Sequence, residues 1–171
     1  MLDGATFTAS NTIQLGLQGD GCKLFVSNAT VNVTSGGIVM GSNGGKNSIL
    51  HIAGESPSVR LSSQINIYSA QNFVFDIPAG GWNLPDSRTA AITCNKIDFK
   101  TDRDTPAINL TVNADGAPAG RYVLLEASTT DLDFNKIILS GESSGLVSLD
   151  TSSKRQLAVK VKRLGSVVIV F

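Results

Sequence analysis

Short apolar–x–apolar triplets recur at nearly constant spacing over the first two thirds of the chain. One series comprises Ile13-Gln14-Leu15, Ile38-Val39-Met40, Ile65-Asn66-Ile67 and Ile92-Thr93-Cys94. A second comprises Leu24-Phe25-Val26, Leu50-His51-Ile52 and Phe75-Asp76-Ile77, and a third Ala5-Thr6-Phe7, Val31-Asn32-Val33 and Val59-Arg60-Leu61. Successive members of a series begin 25 to 28 residues apart. Three strand series that share one period are typical of a solenoid.

A coil of about 26 residues with three short strands predicts an all-β protein of the right-handed parallel β-helix type. A β-sandwich, which also has short strands separated by turns, is the alternative. Because alternate residues of a strand lie on one face, the outer members of each triplet should point inward. We therefore expect two inward ladders, one of Leu15, Met40, Ile67 and Cys94 and one of Val26, Ile52 and Ile77.

The regularity ends after Trp82, where residues 83–89 predict an excursion from the coil. Further strands are predicted at residues 97–99, 108–112, 122–125, 146–149, 157–161 and 167–171, the last two joined through residues 164–166. The open end of a solenoid exposes apolar side chains and unpaired strand edges, so it needs a cover. The sequence thus predicts β-helix coils over residues 1–112 and a C-terminal β cap over residues 113–171.

Charge and hydropathy limit the partners and the location. The chain has 14 basic and 14 acidic residues, which removes the electrostatic drive toward nucleic acid or an anionic membrane. No apolar run is long enough for a transmembrane helix, so direct membrane insertion is not expected. The first residues, Met1-Leu2-Asp3-Gly4, do not form a leader. The chain is then either cytoplasmic or part of a longer, exported protein whose leader is not present here, and the composition favours the exported protein.

Residues 23–33 and 36–45 carry a pattern of alternating apolar and Thr, Ser or Asn residues followed by paired glycines. This pattern resembles the β-helical repeats of bacterial autotransporter-type and PEP-CTERM-type surface proteins. Residues 120–125, 149–152 and 157–159 resemble the end of such passengers. Asn28 and Ala29 depart from the pattern, because they stand where glycines are expected. Within these 171 residues we expect neither a membrane-translocating barrel nor a sorting segment. The resemblance implies a secreted or cell-surface bacterial module.

His51, Asp76 and Asp98 are the candidate catalytic residues. Each is the middle member of its triplet and should point outward, so the three could line up on neighbouring coils. A column of acids beside a His can serve proton transfer on a polysaccharide. The alternative is that these are ordinary polar residues of a solvated sheet.

Two groups of residues are candidates for binding a glycan. Trp82 with Tyr68 and Phe25 could form a platform on which a sugar stacks, although Trp82 also suits the core or the cap. Lys160 and Lys162 belong to a basic segment with Lys154, Arg155 and Arg163, which could hold an acidic glycan. The same charges would also protect an edge strand against unwanted pairing.

Asp102 and Asp104 are the candidate metal ligands, with Asp131, Asp133 and residues 113–116 as further loops that carry acids. None of these loops has the acidic pattern of an EF-hand, and Asx turns explain them equally well. We expect no metal and no cofactor. The repeat register separates Cys22 from Cys94 by several coils, so we expect two free thiols.

The sequence predicts a non-enzymatic structural or adhesive module that contacts glycans or other surface proteins. A carbohydrate-active β-helix, of the polysaccharide lyase or glycoside hydrolase kind, and a segment of a phage or appendage fibre are the alternatives.

Overall fold

A computed structural model describes residues 1–84, 90–101, 105–140 and 146–162. The chain is all-β over these residues, with short 3-10 turns at Ser42–Gly44 and Phe134–Lys136. Neither of these described helical segments has the length and hydropathy that a membrane crossing requires. The predicted strand 167–171, its turn at 164–166 and most of the predicted excursion at 83–89 lie outside the described residues.

The strands form three sheets. Sheet A contains β1 (Leu2–Asp3), β4 (Lys23–Ser27), β7 (Ile49–Ala53), β10 (Gln71–Asp76), β13 (Ile108–Asn113) and β15 (Ile137–Leu139), in that order. Sheet B contains β2 (Thr6–Ala9), β5 (Thr30–Val33), β8 (Ser58–Leu61), β11 (Ala90–Cys94), β14 (Gly120–Ala127), β17 (Gln156–Val161) and β16 (Val147–Asp150). Sheet C contains β3 (Ile13–Leu15), β6 (Ile38–Met40), β9 (Ile65–Ile67) and β12 (Ile97–Phe99).

From β1 to β14 the chain visits sheets A, B and C in rotation, so each strand pairs with the strand of the next round. These pairings are all parallel and in register; in sheet A, for example, Leu24 pairs with Leu50 and Leu50 with Phe73. Parallel pairing continues beyond residue 112, since β13 also pairs with β15. Antiparallel pairing begins where β17 lies between β14 and β16.

The core is the space enclosed by the three sheets. Its side chains come from alternate positions of each strand and form columns of residues that occupy equivalent register positions. The columns include Val26, Ile52, Phe75 and Val112 in sheet A, Val31, Val59, Ile92 and Leu125 in sheet B, and Ile38, Ile65 and Ile97 in sheet C. Each of these side chains is at most 4% exposed. Burying an aliphatic side chain of this size stabilises a fold by about 1.5–3 kcal/mol.

One predicted member of the sheet C ladder is wrong. Leu15, Met40 and Ile67 do stack in register, but the residue paired with Ile67 is Phe99 rather than Cys94. Cys94 belongs to sheet B, where it pairs with Ala127. The error arises because the step along sheet C lengthens from 27 residues (Ile38 to Ile65) to 32 (Ile65 to Ile97).

In sheet A and in sheet B, one predicted triplet is two residues out of register with the next strand of its series. Ile52 pairs with Phe75, so Ile77 is not a member of its column, although it is buried beyond the end of β10. In sheet B, Val31 pairs with Phe7 and not with Ala5. A shift of two residues preserves which side chains face inward, so the apolar pattern alone does not reveal it.

The residue after each of the first three sheet A strands adopts a left-handed conformation. These are Gly4 (φ 61°), Asn28 (φ 48°) and Gly54 (φ 87°). Asparagine tolerates this region better than other residues with a side chain. The Asn28 side chain also accepts a hydrogen bond from the Glu55 backbone N–H at 2.6 Å, which ties this corner to the next one. The departure from glycine at Asn28 is therefore compatible with the turn.

Replacing Ile52 with Asp should unfold the protein. Ile52 lies in β7 and is fully buried, and an unpaired carboxylate there should cost at least about 3 kcal/mol. Asn66→Asp is the matched control, since Asn66 is only half-buried in the middle of β9. Urea denaturation followed by circular dichroism measures both variants. An Ile52→Asp protein that melts like the parent would contradict the inward position of Ile52.

Replacing Gly54 with Ala should destabilise the fold by more than the backbone strain alone. A Cβ at Gly54 would meet the Asn28 side chain, whereas one at Gly44 (φ +90°) would meet nothing within 4 Å. The left-handed conformation alone costs an alanine about 1–2 kcal/mol, which is the loss expected for Gly44→Ala. Gly80→Ala, which has neither problem, should cost nothing. Equal melting temperatures for Gly54→Ala and Gly44→Ala would refute the collision with Asn28.

Candidate functional site

His51 and Asp76 lie together on the outer surface of sheet A. His51 is at the centre of β7 and Asp76 ends β10, two positions beyond Val74, which is the register partner of His51. The diagonal is short enough for His51 Nε2 and Asp76 Oδ2 to lie 2.6 Å apart. Asp76 Oδ1 accepts a second hydrogen bond from Asn113 Nδ2 at 2.6 Å. The structure thus brings together two of the three predicted catalytic residues.

The surroundings of His51 show what this pair can do. The imidazole ring packs on Phe25, with ring centroids 4.5 Å apart, and Lys23 Nζ lies 5.1 Å above the Phe25 ring. A carboxylate that holds one ring nitrogen orients an imidazole for general base chemistry. Within the described residues, however, His51 hydrogen-bonds to Asp76 alone, so no hydroxyl or thiol is held beside it as a nucleophile.

Asp98, the third predicted catalytic residue, lies in a different sheet. It is the middle residue of β12 in sheet C, where it pairs in register with Asn66. Its Oδ2 is 2.8 Å from Lys100 Nζ and 3.3 Å from Lys96 Nζ. The hydrogen bond from Lys100 is the main reason that the pKa of Asp98 lies below its usual value. The structure therefore does not assemble the predicted trio.

The three aromatic residues predicted to form a stacking platform have different neighbours. Trp82 is half-buried, with its ring 6.2 Å from Phe75 and 6.0 Å from Tyr122, and its indole N–H donates to the Asp76 carbonyl at 3.4 Å. This is the core-packing role that the sequence left open for Trp82. Phe25 packs on His51, while Tyr68 is exposed at a corner between sheets C and A.

Lys160 takes part in a charge cluster around a buried carboxylate. Asp150 is only 3% exposed; Arg121 Nε lies 2.6 Å from its Oδ2 and Lys160 Nζ lies 3.3 Å from its Oδ1. Chiefly because of the hydrogen bond from Arg121, the pKa of Asp150 lies far below its ordinary range. Because β17 is paired on both sides, the interpretation of Lys160 as edge-strand protection is wrong. Lys162 follows the strand and is exposed.

The acidic loops give no assembled metal site in the part of the chain that the structure describes. Asp102 and Asp104, the predicted ligands, lie outside that part. Across the described residues, no group of three or more His, Cys, Asp or Glu side chains is close enough to hold a metal ion. Asp133 accepts a hydrogen bond from the Asn135 backbone N–H at 3.1 Å, which confirms the Asx-turn interpretation of this residue.

A concave site that the sequence did not reveal lies at one corner of the fold. This cleft of about 400 Å³ is lined by Lys46, Asn47, Tyr68, Ser69, Lys100 and Thr101, and we call it the corner cleft. Its residues come from three successive connections between sheets C and A. Of the predicted binding residues it contains only Tyr68. The unequal lengths of those connections are the sequence feature from which the cleft could have been predicted.

Both cysteines are free, as the sequence predicted. Cys22 is exposed, whereas Cys94 is 5% exposed with its Sγ 3.8 Å from the Glu126 carbonyl oxygen. Burial raises the pKa of the Cys94 thiol to about 12, so it stays protonated and unreactive at neutral pH. Cys94 packs as a small apolar side chain and is not a candidate nucleophile.

No protein-family model, curated protein or solved structure matches this chain.

Thiol reagents should modify one cysteine in the native protein and two in the unfolded, unreduced protein.

Raising the pH should also destabilise the fold, because the unfolded chain loses the Cys94 proton near its ordinary pKa of 9.0 while the folded chain keeps it until about 12. The stability that this thiol contributes is intact below pH 9 and is lost as the pH rises toward 12.

Urea midpoints at pH 8 and pH 10.5 test this dependence. Cys94→Ala should show a smaller drop between the two pH values than the parent, whereas Cys22→Ala should match the parent. A mass spectrum of a monomer that links Cys22 to Cys94 would contradict the separation of the two thiols.

Proposed function

We propose that the chain is a right-handed parallel β-helix that serves as a non-enzymatic structural or adhesive module of a bacterial surface or secreted protein. The observation that carries the proposal is the rotation of the chain through three sheets from β1 to β14, with strands of successive rounds paired parallel and in register around one apolar core. Connections between parallel strands of one sheet are almost always right-handed, which gives the hand.

The C-terminal residues suit a cap on this coil. The parallel order of sheet B ends at β14, after which β17 and β16 add two antiparallel strands. The inward side chains of β17, Leu157 and Val159, are fully buried and continue the core. An antiparallel addition stops the growth of a parallel coil and covers its apolar interior.

A coil of this kind suits the role of a stalk or of an adhesive surface. Each round advances the structure by about 4.8 Å, and its backbone hydrogen bonds run along the long axis. Outward positions along the strands carry polar side chains such as Gln14, Asn32, Asn66 and Asn72, which suit contact with glycans or with other surface proteins. A fibre segment of a phage or appendage would use the same geometry.

The carbohydrate-active alternative rests on one observation, the 2.6 Å contact between His51 Nε2 and Asp76 Oδ2 on the outer face of sheet A. Glycoside hydrolysis uses two carboxyl groups that flank the scissile bond. In sheet A the register neighbours of His51 are Phe25 and Val74, and neither carries a carboxylate. This arrangement favours the structural module over the enzyme.

Incubation with a panel of acidic and neutral polysaccharides should release no new reducing ends and no unsaturated products. The measurement uses the full chain over a range of pH, with and without divalent cations. Turnover that disappears in His51→Ala and in Asp76→Asn would establish the carbohydrate-active alternative. Asn72→Ala, on the same outward face of β10, is the matched control and should not change the result.

A further inference from the structure

The corner cleft arises from an irregularity in the length of the connections between sheets C and A. Eight residues (41–48) join β6 to β7, only three (68–70) join β9 to β10, and eight (100–107) join β12 to β13. A short connection between two longer ones leaves a depression, with residues 68–70 as its floor and, as its walls, residues 41–48 on one side and the described residues 100–101 and 105–107 on the other. Residues 102–104 lie outside the described residues and are not part of the proposed site.

The floor of the corner cleft is fixed to one of its walls by hydrogen bonds. Ser69 Oγ donates to the Gly45 carbonyl at 2.7 Å and accepts from Gln71 Nε2 at 2.5 Å. The Gln71 side chain is fully buried, and its Oε1 accepts from the Ser48 backbone N–H at 2.8 Å. Because these groups are already ordered, a ligand would bind there without a large loss of conformational entropy.

The charges of Lys46 and Lys100 and the exposed ring of Tyr68 determine which ligands the corner cleft suits. Tyr68 is 44% exposed on the floor, between the Lys46 wall and the Lys100 wall. Within the described residues the Lys46 ammonium makes no ion pair, and Asp98 is shared between Lys96 and Lys100. Lys46 and Lys100 are the charged side chains among the described residues that line the cleft.

We propose that the corner cleft binds one or two sugar units of an acidic saccharide, one that bears carboxylate or sulfate groups. The apolar face of a sugar ring stacks on the Tyr68 ring, and the ammonium groups of Lys46 and Lys100 pair with the anionic groups. The amide of Asn47 is available to the sugar hydroxyls. The hydroxyl groups of Ser69 and Thr101 donate to the Gly45 and Thr105 carbonyls, so toward the sugar they act as acceptors. A volume of about 400 Å³ suits a ligand of this size. This inference rests on the proposed adhesive function and names its ligand class.

Calorimetric titration of the full chain tests the proposal. The probes are a galacturonic acid tetrasaccharide and a sulfated heparin tetrasaccharide, with maltotetraose as the neutral control. We expect at least one anionic probe to bind, with an affinity that falls as salt is added, and maltotetraose to bind at least about fivefold more weakly. Failure of both anionic probes to bind, or equal binding of maltotetraose, would overturn the proposal.

Variants place the binding in the cleft. Tyr68→Ala and Lys46→Gln should each weaken binding by about fivefold or more, and Lys46→Gln should also reduce the salt dependence. Lys23→Gln, an exposed lysine of β4 outside the cleft and outside the basic segment at residues 154–163, is the matched control and should leave the affinity unchanged. All three positions are exposed, so melting temperatures should stay at the parent value.

The outcomes separate the two proposals. Anionic saccharides that bind equally well to the parent, Tyr68→Ala and Lys46→Gln would overturn the cleft assignment while leaving the adhesive module intact. Cleavage of the probes during the titration would instead overturn the non-enzymatic function.

Discussion

Parallel pairing between strands one round apart is the interaction on which the rest of this structure depends. The backbone N–H and C=O groups of these strands, which are two to eight residues long, find partners in the strands above and below, more than 20 residues away in the chain. Register errors would leave those groups unpaired or place polar side chains in the core. The columns of Val, Ile, Leu and Phe at equivalent positions fix the register, because each column packs against itself.

The same constraint explains how far the fold could be predicted. Apart from Ala5-Thr6-Phe7, whose outer residues are exposed, alternation within the triplets assigned the inward and outward faces correctly, since it depends on two or three adjacent residues. Membership of a sheet depends on counting residues from one round to the next, and this count failed at Ile92-Thr93-Cys94. Those residues follow the longer segment after Ile77, so the 27-residue step from Ile65 reached sheet B and not sheet C. The local apolar pattern identified the strands, whereas only the pairing in the structure shows to which sheet each strand belongs.

The candidate sites divide in the same way, into groups of residues that the local pattern could bring together and groups that only the structure shows. His51 and Asp76 could be grouped from the sequence because both lie outward on neighbouring strands of sheet A. Asp98 was grouped with them because it too is the middle residue of a triplet, but its strand belongs to sheet C. The cluster around Asp150 required knowledge of the antiparallel pairing between β16 and β17, for which the repeat contains no information. The corner cleft depends on the lengths of the connections between strands, and a search for evenly spaced strands does not interpret those lengths.

Connections of three and of eight residues occupy equivalent corners here while the strands on either side remain in register. The outer contour of the molecule can therefore change without any change in its interior. A protein built in this way would diversify what it contacts by gaining and losing residues at its corners. Related chains would then differ first in the length of these segments, as gaps in an alignment, and only later in the residues of their strands.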